Sequence, residues 1–390
     1  MCSCRINRVE KKEVHSVELR IHKGSLEEAV SEAASVLGKK TLLPVLNGIK
    51  MEVREQGLVL VGSDGELMTK KVIPVQQGGF ESMETGACVL PAAFLHDLVK
   101  KMPGPIHMMK DGSRMLIESG EVKSSLSALS TEEYPRIPDI ESNGSILMDS
   151  KDLVELVRQT LFAAAKEGSR PVLTGVHFEF SEDHVQAVAT DSHRLAFVRK
   201  RLRSGKNHSC TVPMKTLNKL IKLFKNVKGP LRISMTDQLF KVESSESTLV
   251  SKLLEGVFPN TEALLPKSSK AELLIEKKRL IESVDRAGLF AKDTSNHQVK
   301  LRFSEEKKLN ISSFSQQVGT IEENIPLEGV EGVSGEGSMD VYVDSQFLSE
   351  ALKATQGNHI HFFYNGKMSP LVIRSAESDD QVHVISPVRA

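Results

Sequence analysis

The chain has 390 residues, with 51 Lys+Arg against 51 Asp+Glu, so it carries no net charge and no global field draws it to nucleic acid or membrane; any such attraction must be local. Four cysteines, Cys2, Cys4, Cys88 and Cys210, show no framework spacing, which excludes a disulfide scaffold and fits free thiols in a reducing compartment. No apolar run of about 7 to 15 residues follows the N-terminus and no later run approaches about 18, so the sequence indicates neither a signal peptide nor a membrane span and predicts a soluble, cytoplasmic protein.

Residues 1–16 are polar and charged and read as an N-terminal extension. A strand begins over Val17 to His22, and Leu26, Ala29 and Val30 then mark the buried stripe of an amphipathic helix. The segment Pro44-Val45-Leu46-Asn47-Gly48-Ile49 follows, then an apolar strand, Leu58 to Val61, that ends at Ser63-Asp64. A second helical stripe is Leu95, Leu98, Val99 and Met102, and Glu133 to Pro138 reads as a linker because its prolines disfavour helix.

The pattern then returns. Leu153, Leu156 and Val157 answer the first stripe; Pro171-Val172-Leu173-Thr174-Gly175-Val176 answers Pro44 to Ile49 at an offset of 127; Thr190-Asp191 answers Ser63-Asp64 at the same offset. Leu217, Leu220, Ile221 and Phe224 answer the second stripe, and a second linker runs from Phe258-Pro259 to Ser269. Leu280 and Val284, then Leu348, Ala351 and Leu352, give a third round. A period near 127 is too long for a solenoid and matches a single domain. The sequence therefore predicts an α+β protein of three tandem copies of one domain, each with two helices on antiparallel sheet, at 17–140, 141–267 and 268–390 after the extension at 1–16. Gly329 to Gly337 reads as an acidic surface loop, since Glu331 and Glu336 would repel phosphate.

The run Ala189-Thr190-Asp191-Ser192-His193-Arg194-Leu195-Ala196, the preceding Arg170 to Gly175, the Phe258-Pro259 turn and the terminal Pro387-Val388-Arg389 resemble the bacterial sliding clamps, the beta subunits of DNA polymerase III, over roughly Val17 to Ala390. The resemblance implies a DNA-clamp fold closed as a head-to-tail homodimeric ring on double-stranded DNA, without sequence readout and without intrinsic chemistry. It also implies a clamp loader that opens the ring, and a replicative DNA polymerase and other clamp-binding-motif proteins tethered by it. A ring holds DNA by topology, so weak phosphate contacts suffice and permit sliding.

The same resemblance implies a groove between the second and third domains for a short apolar peptide. It comprises Leu173, Thr190, His193, Arg194, Leu195, Pro259, Leu264, Phe347, Met368, Pro370, Val384, Pro387, Val388 and Arg389. Ser386 stands where the family usually has an apolar residue and Ala263 where some members are basic, which predicts a weaker or differently selective pocket. Lys215, Lys219, Lys222 and Lys225 lie opposite the apolar stripe of their helix, which alone reads as a solvated face. The resemblance makes Lys39, Lys40, Arg158, Lys215, Lys219 and Lys222 DNA-facing, and places Glu121, Lys123, Leu126, Glu322 and Glu323 at the dimer interface. Glu121 occupies a commonly basic position, so an acid facing acids predicts a looser seam. These departures imply a diverged second clamp in its cell.

Asp191-Ser192-His193 contains the residue types of a hydrolase triad, but sequence neighbours do not readily relay a proton and no nucleophile elbow is present, so no catalytic residue is expected. Cys2 and Cys4 with His15 and His22 lack a second ligand pair at metal spacing, so neither metal nor cofactor is expected. The rival to a ring is a monomeric peptide-binding scaffold derived from a clamp.

Overall fold

The computed structural model describes residues 17–38, 43–75, 77–138, 140, 144–203, 205, 207–264, 269–292, 297–304, 307–332 and 339–388. The extension at 1–16 with Cys2 and Cys4, most of the Gly329–Gly337 segment, and Lys39, Lys40 and Arg389 lie outside the described residues.

The first repeat runs β1 (Glu18–Ile21), α1 (Lys23–Ala34), β2 (Gly48–Arg54), β3 (Gly57–Ser63), β4 (Leu67–Pro74), β5 (Glu81–Glu84), β6 (Gly86–Pro91), α2 (Ala92–Lys101), β7 (Ile106–Asp111), β8 (Arg114–Ser119) and β9 (Val122–Ser127). The second runs β10 (Ile146–Asp149), α3 (Ser150–Thr160), β11 (Gly175–Phe180), β12 (His184–Thr190), β13 (Arg194–Arg201), β14 (His208–Pro213), α4 (Met214–Phe224), β15 (Pro230–Met235), β16 (Leu239–Glu243) and β17 (Ser247–Lys252). The third runs β18 (Ala271–Glu276), α5 (Lys277–Ala291), β19 (Gln298–Ser304), β20 (Lys308–Ser315), β21 (Gly319–Pro326), β22 (Gly329–Glu331), β23 (Met339–Asp344), α6 (Ser345–Ala354), β24 (His359–Tyr364), β25 (Leu371–Ser375) and β26 (Gln381–Ile385). The order of elements is written three times, as the repeat predicts.

The chain forms two compact units, Met1–Ile140 with Lys241–Ser251, and Glu141–Phe240 with Lys252–Ala390. In the first, one sheet has the order β5-β1-β7-β8-β9, and β6-β2-β3-β4-β17 forms a second run of antiparallel strands. The predicted stripes of α1 (Leu26, Ala29, Val30) and α2 (Leu95, Val99) are buried in its core with Leu19, Met51, Leu60 and Met108. Burial of apolar side chains of this size stabilises by about 1.5–3 kcal/mol each, which is why the stripes fix the helices despite weak capping of α1 and α2.

In the second unit a nine-stranded sheet, β14-β11-β12-β13-β26-β25-β24-β18-β22, passes from the second repeat into the third at the β13–β26 pairing. A four-stranded sheet, β21-β20-β19-β23, completes the third repeat, with α5 (Leu280, Val284) and α6 (Leu348, Ala351, Leu352) in its core. Asp149 caps α3 through Lys151 N at 2.9 Å, and Asp344 caps α6 through Gln346 N at 2.7 Å and Phe347 N at 3.2 Å. Each cap satisfies main-chain donors that the first helical turn leaves unpaired.

The repeated glycine has a packing reason. A Cβ on Gly48 would lie 2.4 Å from Val89 Cγ1, and one on Gly175 would lie 2.2 Å from Val212 O, so β2 and β11 approach β6 and β14 only without a side chain there.

Candidate functional site: the groove of the second unit and its surroundings

The turn between β12 and β13 is built by its own side chains. Asp191 Oδ1 accepts from His193 N at 3.0 Å and Arg194 N at 2.9 Å, and Thr190 Oγ1 accepts from Ser192 N at 3.1 Å while donating to Arg194 O at 2.7 Å. The first repeat holds the same turn, with Asp64 Oδ1 accepting from Glu66 N and Leu67 N and Ser63 Oγ accepting from Gly65 N. Asp191 is thus a turn-former. Its other oxygen, Oδ2, accepts from Arg194 Nε at 2.9 Å, so the carboxylate faces main chain and guanidinium, and the hydrolase reading has no geometry to stand on.

Arg194 is 7% exposed and is held on every side. Beyond Asp191, its Nη1 donates to Glu350 of α6, and the guanidinium lies 4.3 Å from the Phe347 ring centroid and 5.5 Å from that of Phe162. These contacts join the second repeat to the third. On the same strands, Leu195 faces Val384 across the β13–β26 ladder and Ser386 N donates to His193 O at 2.8 Å. Leu195 and Val384 belong to an apolar cluster with Val188, Phe197, Val372 and Val382, against which Phe258 and Phe363 pack. Phe258 also stacks on His177, with 4.7 Å between centroids.

The predicted groove residues divide by exposure. Leu173, Thr190, Leu195 and Val384 are buried; Phe347, Pro370, Pro387 and Val388 are half-buried; His193, Pro259, Leu264 and Met368 are exposed, the last two at 55% and 64%. Val388 N donates to Tyr342 O at 2.8 Å, which ties the C-terminal segment to β23. Buried and exposed apolar side chains with a few polar groups are the residue types an extended peptide needs. Sequence reasoning missed Phe162 and Glu350, which hold Arg194, and Val372, which packs in the apolar cluster with Leu195 and Val384. Phe258, already named with Pro259 as a turn that carries the resemblance, packs against that cluster.

Among the predicted DNA-facing residues, Arg158, Lys215 and Lys222 are exposed and Lys219 is half-buried. Burial, then the neighbouring Lys222 and Lys215, lowers the Lys219 pKa, as expected of cations gathered on one helix face. Of the predicted interface residues, Glu121, Lys123 and Leu126 lie on or beside β9, and Glu322 and Glu323 lie on β21; both are end strands of their sheets. Glu323 does not stand as a bare acid. Arg286 donates to it at 2.7 and 3.0 Å and Ser283 at 2.8 Å, and the guanidinium hydrogen bond holds its carboxyl below the usual range. Lys123 is paired with Glu118 at 3.1 Å, an exposed contact of little energy.

The chain matches the DNA polymerase III beta subunit families over three consecutive spans: the N-terminal domain at 17–138, the central domain at 147–260 and the C-terminal domain at 262–389. It belongs to the DNA polymerase III beta subunit family. The beta sliding clamp of Bacillus subtilis is 30% identical over 380 residues, covering 96% of this chain and all of that one, and the beta sliding clamp of Staphylococcus aureus (strain Mu50) is 31% identical over 368 residues, covering 92% and 96%. The crystal structure of the Bacillus subtilis DNA polymerase sliding clamp superposes with a TM-score of 0.92 at 30% identity, covering 96% of this chain and 99% of that one. The beta subunit of Streptococcus pyogenes gives a TM-score of 0.90 at 25% identity, covering 96% and 100%. Against these beta subunits the three-domain reading and the α+β fold both hold. No helix among the described residues is long and apolar enough to cross a membrane.

Proposed function

We propose that this protein is a DNA sliding clamp: a head-to-tail homodimeric ring on duplex DNA that tethers a replicative polymerase and other partners through the groove of the second unit, with domains at 17–140, 141–267 and 268–390. The observation that carries this reading is the threefold repeat, matched to beta subunits in three spans between residues 17 and 389, together with end strands β9 and β21 on the first and third repeats. Each end strand offers main-chain groups to another strand, which suits closure by a second copy. Lys215, Lys219 and Lys222 supply flexible cations for phosphate without sequence readout. The ring acts in the cytoplasm, is opened by a clamp loader and carries out no covalent step.

Loading the protein with a clamp loader onto nicked circular DNA, isolating the complex and then linearising the DNA at moderate salt tests this directly. Retention on the circle with loss on linearisation is the expected result. Equal retention on both forms would overturn topological linkage, and failure to load by a monomeric protein would favour the peptide-binding scaffold.

A further inference from the structure

The four-stranded sheet of the third repeat has a second face, turned away from α5 and α6. Val299, Leu301 and Phe303 of β19 point into the core with those helices, so the alternate residues Lys300 and Arg302 stand on the other side. With Ser312 and Phe314 of β20 and Tyr342 of β23 they line a concavity of about 580 Å3. It opens beside the groove. Val388 N, at the groove margin, donates to Tyr342 O at 2.8 Å. The Tyr342 ring has Lys300 Nζ at 5.5 Å from its centroid and, at 5.8 Å, the Nζ of Lys367, which directly precedes the groove's Met368. Cations outnumber acids here. Asp340 serves both Lys300, at 2.8 Å, and Arg302, at 3.0 Å, while Lys367 has no carboxylate partner among the described residues. Glu322, the acid in the wall of the concavity, lies on β21 at the far edge of the sheet and accepts from Asn310 at 2.8 Å.

We propose that an acidic segment flanking the apolar core of a partner peptide docks in this concavity, against Lys300, Arg302 and Lys367. The inference rests on the reading of the groove as a peptide site and adds a charge rule to it. The apolar side chains of a partner fill the groove, and carboxylates beside them meet three cations that share one carboxylate of their own. Two ammonium groups on one aromatic ring repel each other, and a carboxylate placed between them and the Arg302 guanidinium relieves that repulsion. Because Arg302 and Lys367 are exposed, such pairs discriminate between partners more than they add affinity.

Fluorescence anisotropy of the full chain with two labelled peptides tests the extension. Both peptides carry one apolar core, Leu-Ala-Leu-Phe; the first is flanked on each side by glutamates and the second by serines. The acidic peptide should bind about three- to tenfold more tightly at low salt, the gain expected of a few exposed ion pairs, and the gain should shrink at about 0.5 M salt. The Arg302→Gln, Lys367→Gln double variant should bring the acidic peptide down to the affinity of the serine peptide. Lys228→Gln, which removes an exposed cation outside the concavity, should keep the gain within about twofold. Equal affinity of the parent chain for the two peptides, or loss of the gain in Lys228→Gln as well, overturns the acidic subsite and leaves the groove standing. Failure of both peptides to bind overturns the groove and the extension with it.

Discussion

Ser192 occupies a backbone conformation that the first repeat gives to glycine. Its φ is 76°, and its counterpart 127 residues earlier, Gly65, has φ 92°. A side chain in this left-handed region costs about 1–2 kcal/mol, so the turn beside the groove carries a strain that Thr190 and Asp191 must hold through four hydrogen bonds to the turn's main chain. Ser192→Val, branched at Cβ, should lower stability by a further 1–2 kcal/mol or so in urea titration, while Ser192→Gly should change it little, because relief of strain is offset by the larger entropy of the unfolded glycine chain. A larger loss in the glycine variant would mean that the serine side chain itself holds the turn. Arg194 sits two residues on. If it serves chiefly to join β13 to α6, Arg194→Lys should cost about 1–3 kcal/mol of stability, since a single ammonium cannot serve Asp191 Oδ2 and Glu350 together while covering Phe347. Unchanged stability with weakened peptide binding would show that it acts on the peptide alone.

The two linkers show how one repeated element serves different ends. Tyr134 and Phe258 each precede a proline, but Tyr134 is 4% exposed and its single hydroxyl proton points between Val61 O at 3.0 Å and Gly48 O at 3.3 Å, within a cluster that includes Val45, Leu46 and Val250. Phe258 has no hydroxyl and remains half-buried against His177. The first linker is thus bolted onto an apolar patch that its repeat shares with Val250, while the second packs only a half-buried ring against the cluster of β12, β13, β25 and β26. Tyr134→Phe should destabilise the first unit by about 1–2 kcal/mol, read as a lower urea midpoint with unchanged slope, because the hydroxyl's buried hydrogen bond to the strand carbonyls is lost. No change would mean that packing of the ring alone fixes the linker. This contrast was not legible in sequence, where both segments read only as proline-bearing linkers; the helix stripes were, because periodicity is a local signal carried by residues three and four apart. The hold on Arg194 was not, since Glu350 lies 156 residues away and only the β13–β26 register brings α6 beside the turn. Nor did the charge pattern of β21 show that Arg286, on α5, neutralises Glu323.

At the scale of the whole chain, the two units carry buried titratable groups of opposite sign. In the first, Glu32 on α1 is enclosed beside Lys71, Glu28 and Glu246; Ser247 donates to its Oε2 at 3.2 Å and its Oε1 has no hydrogen-bond partner. Burial pushes this carboxyl up to about 7, against the pull of Lys71. The folded state therefore holds its proton more tightly than the unfolded chain does, so the first unit loses stability as pH rises from the ordinary carboxylate range through about 7. In the second unit His383 is fully buried on β26; Gln381 Nε2 lies 3.0 Å from its Nε2 and it packs edge-on to Phe162. Burial pushes its imidazole down to about 3. Here the unfolded chain holds the proton more tightly, so the second unit loses stability as pH falls below the ordinary histidine value of about 6.5, by at most about 1.4 kcal/mol per pH unit. Calorimetry from pH 5 to 8 should therefore resolve transitions that move in opposite directions, the first unit weakening by roughly 2 kcal/mol and the second strengthening by a similar amount. Glu32→Gln should flatten the first trend alone and His383→Leu the second alone. Parallel movement of all transitions in the parent chain, or flattening of both by either variant, would refute the assignment of these two groups to separately responding units.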